Sequence, residues 1–158
     1  MTYIENVFAC IAAPLLVAAL CAGRGHARFF IFAIAGMFAC LLSAYVNTFF
    51  AALLDASLLE ATAEIAPVVE EIMKLLPLVF YLLVFEPEGD RIRAAILVTA
   101  VGFATFENIC YLIENGAEDL GFLLIRGFGT GAMHTVWGVI VGYGKVYVWP
   151  RGALRAAG

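Results

Sequence analysis

Six ionisable side chains stand inside stretches that are otherwise apolar: Glu70, Glu71, Lys74, Glu107, Arg126 and His134. An ionisable group facing lipid costs at least ~2.5 kcal/mol, so such groups turn to a bundle interior or a watery cavity and mark functional sites. On a helix, Glu70 and Lys74 share a face one turn apart, and Glu71 also reaches Lys74 as an i,i+3 neighbour. Glu70 and Glu71 point about 100° apart, so both cannot face one centre. One is expected to do chemistry and the other to act as a hydrogen-bonding partner, with Lys74 keeping at least one carboxylate ionised. The blander reading is a salt-bridged cluster that only holds the bundle together.

Glu107 and Glu70 each lie about six residues in from the outer ends of their segments, roughly 9 Å at the helical rise. Asn47 lies about seven residues in, so three segments are expected to place polar groups in one layer. Tyr111, one turn from Glu107, can hydrogen-bond into that layer, while interfacial anchoring is the plainer role for Asn108 and Tyr111. Gly127, Gly131, Gly138 and Gly142 recur on or near the face of His134, a spacing that lets a neighbouring backbone approach closely. A straight helix would set His134 about 20 Å deep, below the glutamates, unless the glycines bend it. Arg126 is expected to snorkel, or to pair with Glu107 or a substrate carboxylate.

Two chemistries follow from this set. A glutamate could act as general base on water, with His134 or Asn47 steadying the oxyanion formed when water adds to a peptide carbonyl. Alternatively Glu70 or Glu71, Glu107 and His134 could ligate one divalent ion, zinc being the candidate, which would activate the water itself. If a metal is present, Glu71, Glu107 and His134 are the expected ligands. Against it, a single intramembrane histidine is available and no HExxH pattern occurs.

The elements that must position these residues are spanning helices. The chain has 158 residues, 64% hydrophobic and only 14% charged, against roughly a quarter charged in soluble domains. Five apolar stretches reach the ~20 residues that cross a bilayer: 4–21, 28–54, 65–85, 94–113 and 121–146. Backbone groups in lipid must pair internally, so these are helices, and no period-two alternation suggests a barrel. The expected fold is all-α, a single polytopic domain over 1–158. The first segment lacks a basic leader and carries Glu5, so it reads as a retained helix rather than a signal peptide.

Of the nine Lys and Arg residues, all but Lys74 and Arg126 fall in or beside the first link, the third link and the tail. The second and fourth links carry only acids, among them Asp55, Glu60, Glu64 and Glu114. The positive-inside rule then puts the N-terminus outside and the C-terminus in the cytoplasm. A net charge of −4 with no basic stripe excludes nucleic acid as a partner. Cys10, Cys21, Cys40 and Cys110 show no CxxC spacing and read as small apolar thiols.

Glu70-Glu71-x-x-Lys74, Phe106-Glu107-x-x-x-Tyr111, and His134 followed by seven residues and Gly142 resemble the three motifs of the PrsW family of intramembrane proteases. That family is related to the CAAX prenyl endopeptidases. The resemblance covers about Ile65 to Lys145. It implies proteolysis in or at the edge of a bacterial inner membrane, on a membrane protein or peptide, by enzymes similar to those that cut anti-sigma factors. It implies Glu70 and Glu71 as the catalytic pair, with Glu107 and His134 completing the site. The family carries both metalloprotease and glutamate-protease labels. Typical members are longer, with additional helices and larger extracytoplasmic segments. Two alternatives stand beside this reading. One is a non-enzymatic binder of membrane peptides; the other is a proton-coupled transporter or homo-oligomeric pore with the glycine face of the fifth segment at its interface.

Overall fold

The computed structural model describes residues 2–21, 24–85 and 89–115, together with isolated helical positions between 121 and 140. Among the described residues the chain is helical, with no strand. Helix α1 runs Thr2–Cys21 and α2 runs Arg24–Leu53. A short α3, Leu58–Glu60, passes through a π turn, Ala61–Ile65, into α4, Ala66–Phe85; α5 runs Gly89–Asn115. Among the described residues two stretches are long and apolar enough to cross a membrane, His26–Leu53 and Asp90–Glu114. Helix α4 has 20 residues, about 30 Å at the helical rise, but carries Glu70, Glu71 and Lys74.

The segment expected to be an acidic link, from Asp55 to Glu64, is mostly helical. Asp55 takes a left-handed φ of 50°, a conformation that aspartate tolerates better than most residues, and ends α2. Two residues later a reciprocal cap starts α3. The Glu60 N–H donates to Ser57 Oγ at 3.3 Å, and the Ser57 N–H donates to Glu60 Oε2 at 2.8 Å. Ser-x-x-Glu is the sequence signature of this capping box. The hydroxyl and N–H of Ser57 hold the Glu60 carboxyl below the usual carboxylate range.

Helices α2 and α5 form the centre. A Cβ added to Gly36 would lie 2.1 Å from the Thr99 carbonyl oxygen, and one added to Gly102 would lie 2.3 Å from that of Ala33. The two backbones therefore touch, as small residues allow between membrane helices. Arg28 and Phe32 line one cavity with Arg91 and Ala95, Gly36 meets Thr99 and Phe103, and Cys40 clusters with Phe106 and Cys110. The order rises along both chains, so α2 and α5 run parallel. Helix α4 runs against them: Leu78 packs with Ala95 and Ile96, while Met73 joins the cluster of Met37, Cys40 and Phe106. Helix α1 is antiparallel to α2, with the Phe8 ring 5.8 Å from Phe38 and 5.6 Å from Phe106. Glu5, one turn earlier, accepts the Tyr45 hydroxyl.

Phe103 and Phe106 are fully enclosed, and Thr99 nearly so. Overpacking a close contact costs about 1–3 kcal/mol. Gly36→Ala and Gly102→Ala are each expected to destabilise the protein by about that amount. Gly129, with nothing within 4 Å of an added Cβ, should accept alanine without loss. Thermal melts of the three variants in detergent check this; equal melting of all three would remove the backbone contact as the organising feature.

Candidate active site

Helix α4 brings Glu70, Glu71 and Lys74 into the bundle on one and a half turns. Lys74 is buried, its side chain 6% exposed against 36% for Glu71. Its Nζ donates to Glu71 Oε1 at 2.6 Å and stands 4.3 Å from the centre of the Phe103 ring. A buried ammonium needs such partners, and the carboxylate and the aromatic face supply opposite charge from two sides. Lys74 reaches Glu71 through the i,i+3 spacing.

The Lys74–Phe103 contact also sets the register of α4 against α5. Because these helices are antiparallel, one turn back along α4 leads to Glu70 and one turn on along α5 leads to Glu107, at the same level. The Cys40 thiol on α2 lies within electrostatic reach of Glu70, Glu107 and Lys74 together, and of Cys110. Residues of three helices thus act electrostatically on one buried cysteine. Glu70, Glu71 and Glu107 are half-buried rather than enclosed, above a floor formed by the Phe103 and Phe106 rings.

Asn47 stands about 10 Å further along α2 than Cys40. In the parallel α2–α5 register it falls at or beyond the level of Tyr111, a turn away from Glu107. Its Oδ1 is buried and accepts no hydrogen bond among the described residues, and the same holds for Asn108 Oδ1. The Gly127 backbone lies beside Asn108: an added Cβ would be 3.9 Å from Asn108 Nδ2, an ordinary contact. The tight glycine packing seen here belongs instead to Gly36 and Gly102. Arg126, Gly131, His134, Gly138 and Gly142 lie outside the described residues.

Four participants were not singled out from the sequence. Cys40 had been set aside as a small apolar thiol, and its position follows only from the three-helix register. Phe103 looked like core, yet it faces the ammonium as well as closing the floor. Gly36 and Gly102 are single glycines in separate segments, and each lacks the regular spacing that drew attention to residues 127–142.

No group of three His, Cys, Asp or Glu side chains close enough to share a metal ion occurs among the described residues. The carboxylates on α4 and α5 are suitable hard donors, but Glu71 is engaged by Lys74, and the one imidazole of the expected set, His134, belongs to the stretch outside the described residues. No curated protein and no solved structure matches the chain significantly. One family does. The match to the PrsW family of intramembrane metalloproteases runs over residues 10–157, beyond the half of the sequence whose motifs suggested it. It takes in α2, α4, α5 and the His134 segment alike, and on that extent the chain belongs to the PrsW family of intramembrane metalloproteases.

Proposed function

We propose that the chain is a multi-pass endopeptidase of the bacterial inner membrane that hydrolyses a peptide bond of a membrane protein or peptide, with Glu70 activating the water. The observation that carries this reading is that Glu70 and Glu107, on facing helices, both lie within electrostatic range of Cys40. Glu71, committed to the ammonium, fixes the α4 wall. Glu70, one turn from Lys74 on α4 and level with Glu107 on α5, is assigned as the base. Its carboxylate takes a proton as the water oxygen bonds to the scissile carbonyl carbon; Glu107 shares that proton and passes it to the departing amine. His134 and the Asn108 carboxamide are assigned as the donors for the oxyanion. Tyr111, one turn beyond Glu107 on α5, lines the outer approach, and Arg126 is assigned to pair with a substrate carboxylate.

General-base catalysis contributes roughly 100- to 10,000-fold. Glu70→Gln should lower cleavage of a single-span peptide by about that factor while the protein still folds and binds the peptide. Glu107→Gln should also slow it, and Glu71→Gln should chiefly lower thermal stability, because it removes the counter-charge of Lys74. Cleavage that is unaltered in all three variants would leave a peptide binder or a transporter as the function.

The family description favours a second reading, in which a divalent ion supplies an activated water. Glu71, Glu107 and His134 would hold it, and Glu71 would have to give up Lys74. A strong chelator separates the two. The carboxylate reading expects cleavage to persist in purified protein; loss of activity restored by added zinc would assign the chemistry to a metal.

Five spans with the N-terminus outside complete the proposal. Arg28 and Arg91 line the same cavity and so stand at one end of the bundle, as a common cytoplasmic side requires. In a cysteine-free background, Glu60→Cys should react with an impermeant thiol reagent on intact cells, and Asp90→Cys only after permeabilisation. The opposite pattern would invert the orientation.

A further inference from the structure

At the arginine end of the bundle, far from the glutamates, α2, α4 and α5 line an open-sided cavity of about 310 Å³. That is the lower end of the range for small-ligand sites, roughly 300–1,000 Å³. Its walls are Phe32, Tyr81, Ala94 and Val98, and its rim carries Arg28 from α2 and Arg91 from α5. The Phe32 and Tyr81 rings meet edge to face with centroids 4.8 Å apart, and Tyr81 also touches Phe85, so the aromatic wall is braced. Arg91 stands in the first turn of α5, where unpaired N–H groups add positive potential. Asp90, its neighbour in sequence, is engaged by Arg93.

We infer that this cavity binds the headgroup of an anionic phospholipid, its phosphate between Arg28 and Arg91 and its glycerol and first acyl carbons against the Phe32–Tyr81 wall. Two features select this occupant. The cavity combines a cationic rim with an apolar interior, which suits a molecule with a charged head and a hydrocarbon body. It also lies at the ends of the membrane-length helices α2 and α5, at the depth of lipid headgroups, and basic pockets between helices on the cytoplasmic side take anionic lipids. The inference needs the membrane placement of these helices and not the hydrolytic reading; a proteolytically inactive protein would bind the lipid equally.

The test uses the full chain in a neutral detergent, titrated with short-chain phosphatidylglycerol, with phosphatidylcholine of the same chain length, and with inorganic phosphate. Binding is followed by calorimetry and by the melting temperature. Phosphatidylglycerol should bind and raise the melting temperature; the other two should do neither at the same concentrations. The double variant Arg28→Gln/Arg91→Gln should weaken binding about 30-fold, while Arg151→Gln/Arg155→Gln, which removes the same charge from the tail, should leave it unchanged. Ala94→Trp keeps both arginines and fills the cavity mouth, so it should abolish binding even if the arginine variant fails to fold. Equal binding of phosphatidylcholine would overturn the proposal, as would inorganic phosphate binding as tightly as the lipid. So would full phosphatidylglycerol affinity in Ala94→Trp.

Discussion

The structure depends on a contact that involves no side chain. Where Gly36 passes Thr99 and Gly102 passes Ala33, α2 and α5 lie against each other with no room for a methyl group. Between helices in lipid there is little hydrophobic gain from association, and close van der Waals packing is what holds them. This contact fixes the parallel register of the two longest helices. The enclosed Phe103 and Phe106 rings follow one turn and two turns further along α5, so the same contact sets the level at which the site can form.

That level is where the charges are. Lys74 is buried next to an aromatic ring because α5 presents Phe103 to it, and Glu71 supplies the opposite charge beside it. Breaking a buried pair by removing one partner costs about 3–5 kcal/mol, discounted here because Glu71 is partly exposed. The pair therefore acts on α4 as a register pin. The adjacent Glu70 lies within electrostatic range of Cys40, as does Glu107 from α5.

The helical state of the chain was legible from composition and from the length of its apolar runs, because backbone in lipid has few ways to satisfy itself. The polar residues in those runs were legible for the same reason: they are costly, and so conspicuous. The extent of the acidic link was not, because its acids drew attention while Ser57 and Glu60 formed a cap that only the Ser-x-x-Glu spacing announces. Register between helices was hidden more deeply. Counting residues from each segment's end put Asn47 beside Glu70 and Glu107, but helices of 30 and 27 residues exceed the bilayer and overhang it unequally. Cys40 and not Asn47 is the α2 residue within reach of both glutamates, and only the Gly36 and Gly102 contacts fix that offset. The family resemblance, drawn from three short motifs, extends over nearly the whole chain.

The helices also differ in how firmly they are held, and the difference follows the chemistry. Helices α2 and α5 meet backbone to backbone. Helix α4 meets them through side chains, with Leu78 and Tyr81 at the arginine end and Lys74 near its middle. It is also the irregular one: Pro77 withholds an N–H from the Met73 carbonyl in its interior, and a π turn precedes it. Proline in a helix interior and π turns both mark points where a helix departs from its regular ladder, and π turns gather at functional sites. A protease in a bilayer must admit a peptide whose own helix has to open before its carbonyl can be attacked. On the proposed reading, Glu107 stands on the closely packed α2–α5 pair and Glu70 on the less regular α4, which Lys74 pins against Phe103.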